Sequence, residues 1–208
     1  MTSACGRPCS IQGGKSEALL TAPQGFTTGS EMTLFAPPDL GEIDAELRLE
    51  YERGQEGHRH FDSLRKQLLR FPAAFRAADG MYDRIMEEGR LDRNLKEQIF
   101  VTCSGVRGCG YGAAAHGRWL TANTDITEDE IDALVRGDAL PGADDHAKTV
   151  LAFSRKVAAA PYKTVPADIE ALRTVGLDER DVVEVMTVIS LSGWMNGYAQ
   201  ALGLRAHD

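Results

Sequence analysis

The 208-residue sequence has no apolar stretch near the roughly 20 residues a bilayer-spanning helix needs, so an embedded chain is not expected. It is short of basic residues. Lys and Arg number 23 against 31 Asp and Glu, and the net charge of −8 lacks the basic surface that nucleic acid or an anionic membrane would select. No basic start followed by an apolar segment is read as a secretory signal, and the expectation is a soluble, cytoplasmic protein. Cysteine is scarce: Cys5, Cys9, Cys103 and Cys109. A chain of this length and composition buries a core without disulfides. Each cysteine is then a buried small hydrophobe, a metal ligand or a reactive thiol. There is no phosphate loop, no dinucleotide fingerprint, no serine-hydrolase elbow and no three-ligand metal set, so neither a cofactor nor a metal is expected. His58 and His60 read as surface residues of a charged helical segment, His146 as part of a helix start, and His207 as terminal.

What is present is helical periodicity. Residues 1–40 are rich in Gly, Pro, Ser and Thr and read as a flexible leader, with 41–205 as one helical domain. Ile43, Leu47 and Tyr51 repeat at four-residue intervals over 42–53, and Phe61, Leu64 and Leu68 mark 58–70. Pro72 suits the first turn of a helix that runs to about 88 with Phe75, Met81, Tyr82 and Ile85 inward. Asp92 reads as the cap of 93–105, with Leu95, Ile99 and Phe100 apolar, and a short helix is expected over 110–122. Thr127 and Glu130 form a capping-box pattern, Asp144 or Asp145 opens a helix to about 160, Pro166 starts the next, and Asp178 caps 179–203. Val182, Val183, Val185, Val188 and Ile189 favour a strand on propensity, but the length of that segment and its cap favour a helix. Trp194, Met195 and Tyr198 read as core or oligomer contacts. The fold class is all-α.

Chemistry concentrates between Leu95 and His116. On one helix, Cys109 and His116 share a face but stand roughly 10 Å apart along the axis, too far for direct contact. Position 112 lies between them on the same stripe, and a thiol there would complete a relay; this chain has Gly112. Its bare backbone is expected to leave room for a substrate or water. A cysteine at a helix start feels free N–H groups and the positive end of the dipole, so the Cys109 thiol is expected to ionise more readily than usual. Glu97, on the preceding helix, folds back through the glycine turn toward Cys109 or His116 to move protons. Cys103 is the nearest other thiol in sequence, although its helical position favours burial.

The spacing Glu97, Cys109, Tyr111, His116 resembles the alkylhydroperoxidase D-like motif of the carboxymuconolactone decarboxylase superfamily. The similarity to the peroxidase-related branch spans about 60–204. It takes in Phe71-Pro72, Leu91 to Glu97, Thr127 to Leu134, Val165 to Leu172 with Val175 to Asp178, and Asn196 ahead of Ala201-Leu-Gly-Leu204. Two positions depart from the pattern. Gly112 stands where the motif has its second cysteine, and Gly197 stands where related sequences often have arginine.

The resemblance implies an alkylhydroperoxidase D-like helical bundle that forms a homo-oligomer, often trimer-based. It also implies a thiol-dependent peroxidase or antioxidant oxidoreductase that takes a hydroperoxide and a thiol reductant. Cys109 is then the first motif cysteine, His116 the histidine and Glu97 the acid of the relay. Cys103 is a substitute resolving thiol, and Tyr111 and Gly112 shape the site. The alternatives are a cofactor-free lyase, decarboxylase or isomerase that acts on a small organic acid or lactone through His116 and Glu97, or a non-catalytic member of the family.

Overall fold

The structure, a computed structural model, describes residues 33–55 and 61–205. Cys5, Cys9, His58, His60 and His207 lie outside the described residues. Within them are nine α-helices and no strand: α1 Ala45–Arg53, α2 Asp62–Leu68, α3 Pro72–Glu87, α4 Arg93–Arg107, α5 Gly110–Asn123, α6 Glu128–Arg136, α7 Asp145–Ala159, α8 Pro166–Thr174 and α9 Glu179–Leu202, with a 3₁₀ turn at Pro161–Lys163. The fold is all-α, and no helix among the described residues is long and apolar enough to cross a membrane.

Local chemistry accounts for most of the boundaries. Asp92 Oδ1 accepts from the Asn94 N–H (2.9 Å), and Asp144 Oδ1 accepts from that of Ala147 (2.8 Å). Thr127 and Glu130 close the expected capping box. Asp178 Oδ1 takes the N–H groups of Arg180 and Asp181, while the Asp178 N–H donates to Asp181 Oδ2. Each such cap supplies about 1 kcal/mol. The valine-rich last segment is helical throughout, because its apolar side chains bury against four neighbouring helices and tertiary packing overrides β propensity.

On α3 the inward stripe is Phe75, Ala78, Tyr82 and Met86, with Ile85 partly buried beside it. Met81, expected inward, is 38% exposed. Steps of three and four residues from Phe75 reach 78, 82 and 86 and leave 81 about 100° away from that face. Leu34 and Ala36 fall in the segment read as a leader, and both are tied to the bundle. The Leu34 N–H donates to the Leu202 carbonyl (3.0 Å), and the Arg70 guanidinium donates to the Ala36 carbonyl.

The bundle is organised around α4. It packs against α3, α5, α6, α7 and α9, so its side chains are buried on several sides. Ile99, Phe100, Val101 and Cys103 have no exposed surface. Lys96 is 1% exposed yet carries an ammonium group. Its Nζ donates to the carbonyls of Ile85 (2.9 Å) and Glu88 (2.5 Å) at the end of α3 and pairs with Glu184 of α9 (2.7 Å). Glu184 in turn accepts the N–H groups of Arg90 and Leu91. A cation thus satisfies carbonyls that a helix terminus leaves open. The same contacts fix the loop from which Arg93 and Glu97 enter the core.

Candidate active site

The α4–α5 hairpin builds the site. The helix α4 ends at Gly108, whose φ of +64° reverses the chain, and Cys109 then caps α5. This turn folds Glu97 back onto α5, where its Oε2 lies 2.5 Å from His116 Nδ1. Both residues are buried. A carboxylate can only accept, so Nδ1 donates the proton of this bond, and Nε2 is the ring nitrogen on the far side from Glu97.

The other carboxylate oxygen of Glu97 is held by Arg93, at 2.8 Å from Nε and 2.6 Å from Nη2. Tyr82 Oη donates to the same oxygen at 3.4 Å and accepts from Arg93 Nη2 at 3.1 Å. Burial, followed by the negative charge of Glu97, pushes the Tyr82 phenol well above its usual range, so it stays a donor. Arg93 also pairs with Glu87 and lies over the Trp119 ring, 4.8 Å from its centre. Phe100 stacks on the His116 imidazole with centroids 3.9 Å apart and planes 22° apart. A carboxylate without exposed surface is affordable only because an arginine and an imidazole share it.

Three of these partners were missed in the sequence. Arg93 sits one turn before Glu97, the spacing at which helical ion pairs form, and that signal was available. Tyr82 and Phe100 belong to the core, as their apolar periodicity predicts, and they also orient the acid and the imidazole.

Cys109 is buried at the α5 N-terminus. Its Sγ accepts from the Gly112 N–H (3.4 Å) and lies 3.8 Å from the Asn196 carbonyl. The expected ease of ionisation is not found. Burial pushes this thiol up, and the N–H groups of Gly112 and Tyr111 only partly oppose it. Iodoacetamide should therefore alkylate Cys109 slowly at neutral pH. The rate should rise only above the ordinary thiol value of about 8.5. Peptide mapping across a pH series checks this, and a plateau already reached near pH 7 would overturn it.

Cys103 is also a free thiol without exposed surface, and its Sγ faces the Ser154 carbonyl of α7 at 3.9 Å. Burial pushes it up to about 12. Tyr111 is buried, and its Oη accepts from the Leu64 N–H (3.0 Å), which anchors α5 to α2.

The room expected at Gly112 is filled. A Cβ on this glycine would fall 2.0 Å from Asn196 Oδ1 and 2.7 Å from Ser104 Oγ. Asn196 reaches in from α9, and its amide is held by Ser104 Oγ (3.1 Å) and Ser192 Oγ (3.0 Å). An amide thus occupies the position on the stripe where the motif carries its second thiol.

Within the chain, residues 72–156 match the model of the carboxymuconolactone decarboxylase family. The matched segment, under half of the chain, is similar to that family. It contains Glu97, Cys103, Cys109, Tyr111, Gly112 and His116. An uncharacterized peroxidase-related protein from Silicibacter sp. TM1040 has 25% identity and a TM-score of 0.72 over 86% of this chain and 94% of its own. The alkylhydroperoxidase AhpD core of a peroxidase-related protein from Ralstonia eutropha JMP134 has 23% identity and a TM-score of 0.74 over 85% and 93%. The debrominase Bmp8, solved with 2,3,4-tribromopyrrole, shares the fold with a TM-score of 0.70 at 16% identity over 85% and 92%. No curated protein sequence matches the chain significantly. The same fold thus carries proteins named for different chemistries.

Proposed function

We propose that the chain is an enzyme of acid–base chemistry, a cofactor-free lyase, decarboxylase or isomerase acting on a small organic acid or lactone. The observation that carries this reading is the 2.5 Å contact between Glu97 and His116 inside the core. Glu97, fixed by Arg93 and Tyr82, is the positioning residue, and His116 is the catalytic one. Nε2 takes a proton from a carbon next to a carbonyl, Glu97 stabilises the imidazolium through Nδ1–H, and the proton returns at the same or another carbon. None of these steps needs a thiol at position 112.

A second reading, a one-thiol peroxidase, is favoured by a single observation: Cys109 sits at the α5 N-terminus and accepts the Gly112 N–H. Its thiolate would attack a hydroperoxide and become a sulfenate as the alcohol leaves, and an external thiol would then reduce it. The raised Cys109 thiol and the closed position 112 weigh against this cycle. Homo-oligomeric assembly belongs to either reading, and the stacked Trp194–Tyr198 pair on α9 offers an apolar surface for it.

Proton abstraction is measurable as deuterium uptake from D₂O into a panel of small lactones and unsaturated acids, followed by proton NMR. Wild type and Cys109→Ser are expected to exchange at similar rates, with His116→Ala slower by about 10²-fold or more. Hydroperoxide consumption with dithiothreitol that is lost in Cys109→Ser, together with no exchange on any panel member, would overturn the acid–base reading.

A further inference from the structure

A cavity of about 310 Å³ lies between α4, the turn after α6, and α7. It does not belong to the Glu97–His116 site. Thr102, on its α4 wall, follows Glu97 by five residues and so stands roughly 140° around the helix from it. Leu151 and Ala143 supply apolar wall, and Asp138, Lys148 and Arg155 supply charge.

Two polar groups on this wall are unsatisfied. Thr102 is 1% exposed, and its Oγ1 has no hydrogen-bond partner among the described residues. Arg155 Nη1 is buried and likewise has none. An unmet buried donor is costly, more so on a charged group, so two on one cavity wall call for an acceptor.

The protein has built a seat for that guanidinium. Gly137 caps α6 at φ +90°, and a Cβ there would fall 1.6 Å from Arg155 Nη1. Arg155 therefore lies in the space a side chain at 137 would take, and no carboxylate pairs with it among the described residues.

We infer that this cavity binds a small organic monocarboxylate, its carboxylate on Arg155 and Thr102 and its apolar body against Leu151 and Ala143. Guanidinium groups take carboxylates in a two-point fork, and the threonine hydroxyl donates to one carboxylate oxygen. The charge balance sets the class. Arg155 and Lys148 are positive and Asp138 is negative, which leaves one net positive charge on the wall. Asp138 is itself held by Arg136 (3.2 Å), and Lys148 is only loosely paired with Asp145 (3.9 Å). One excess positive charge suits a monoanion and disfavours a phosphate dianion. The volume is at the low end of small-ligand sites, about 300–1,000 Å³, which limits the ligand to a few carbons or one ring.

Isothermal titration of the full chain at fixed ionic strength tests this, with acetate, butyrate, benzoate and inorganic phosphate as probes. Butyrate or benzoate should bind saturably at one site, more tightly than acetate and than phosphate. Affinity should fall at least tenfold in Arg155→Met and several-fold in Thr102→Val. Thr102→Val is close to isosteric, so it keeps the test decisive if Arg155→Met does not fold. No saturable carboxylate binding to wild type, phosphate as the tightest probe, or affinities unchanged in Thr102→Val would each overturn the inference.

Discussion

Glu97→Ala is expected to lower stability by about 3–5 kcal/mol, because it leaves the largely buried Arg93 guanidinium with only the exposed Glu87 and takes the acceptor from His116 Nδ1. In a chain of this size that is a fall in Tm of roughly 6–20 °C. Glu97→Gln separates stability from chemistry. The amide keeps the volume, but its NH₂ turned toward His116 donates to Nδ1 and moves the ring proton to Nε2. The basic nitrogen is then lost, and a tautomer reversal of this kind costs on the order of 10⁴-fold in rate in a catalytic triad. The expected result is a Glu97→Gln protein that melts closer to wild type than Glu97→Ala but shows deuterium exchange at the His116→Ala level. A melting point within a degree or two of wild type for Glu97→Ala would mean that the acid is not holding the core. Normal exchange in Glu97→Gln would mean that the tautomer does not matter.

The second large effect is at Gly112. Gly112→Cys places a thiol on the stripe between Cys109 and His116, and helix propensity alone would favour it by up to about 1 kcal/mol. Sterics oppose it more strongly. The new Cβ falls 2.0 Å from Asn196 Oδ1, so the amide must leave its place between Ser104 and Ser192. Overpacking costs about 1–3 kcal/mol, and the broken buried hydrogen bonds add about 1–3 more. A net loss of about 1–5 kcal/mol follows. Gly112→Cys combined with Asn196→Ala should be more stable than the sum of the two single variants predicts, and a double-mutant cycle by urea denaturation reads that coupling. Additive behaviour, or a Gly112→Cys protein as stable as wild type, would sink this account of Asn196.

These two predictions differ in how far they were legible. Glu97, Cys109 and His116 lie within 20 residues, and their spacing brings the acid back toward either Cys109 or His116; the structure puts it on His116. The caps at Asp92, Thr127, Asp144 and Asp178 are local chemistry as well, which is why the helix boundaries were readable. What decided position 112 was 84 residues away. No pattern near Gly112 announces that Asn196 will enter from α9, so the glycine read as empty space. Cys109 failed for a related reason. The helix dipole is a local effect and visible in sequence, whereas burial depends on every element packed around the thiol. Met81 shows the limit of composition: an apolar residue one position off the stripe faces outward.

The central position of α4 has a consequence for how the protein opens. An amide on a helix packed against five others has no local fluctuation by which to meet solvent, so it exchanges its hydrogen only when the whole domain unfolds. Ile99 to Ser104 should therefore be the slowest-exchanging amides of the chain, and their rates should report the global stability directly. Glu97 is rooted in that same helix. The acid end of the site is thus as permanent as the fold itself, and any breathing that admits a ligand must come from the elements around α4 rather than from α4.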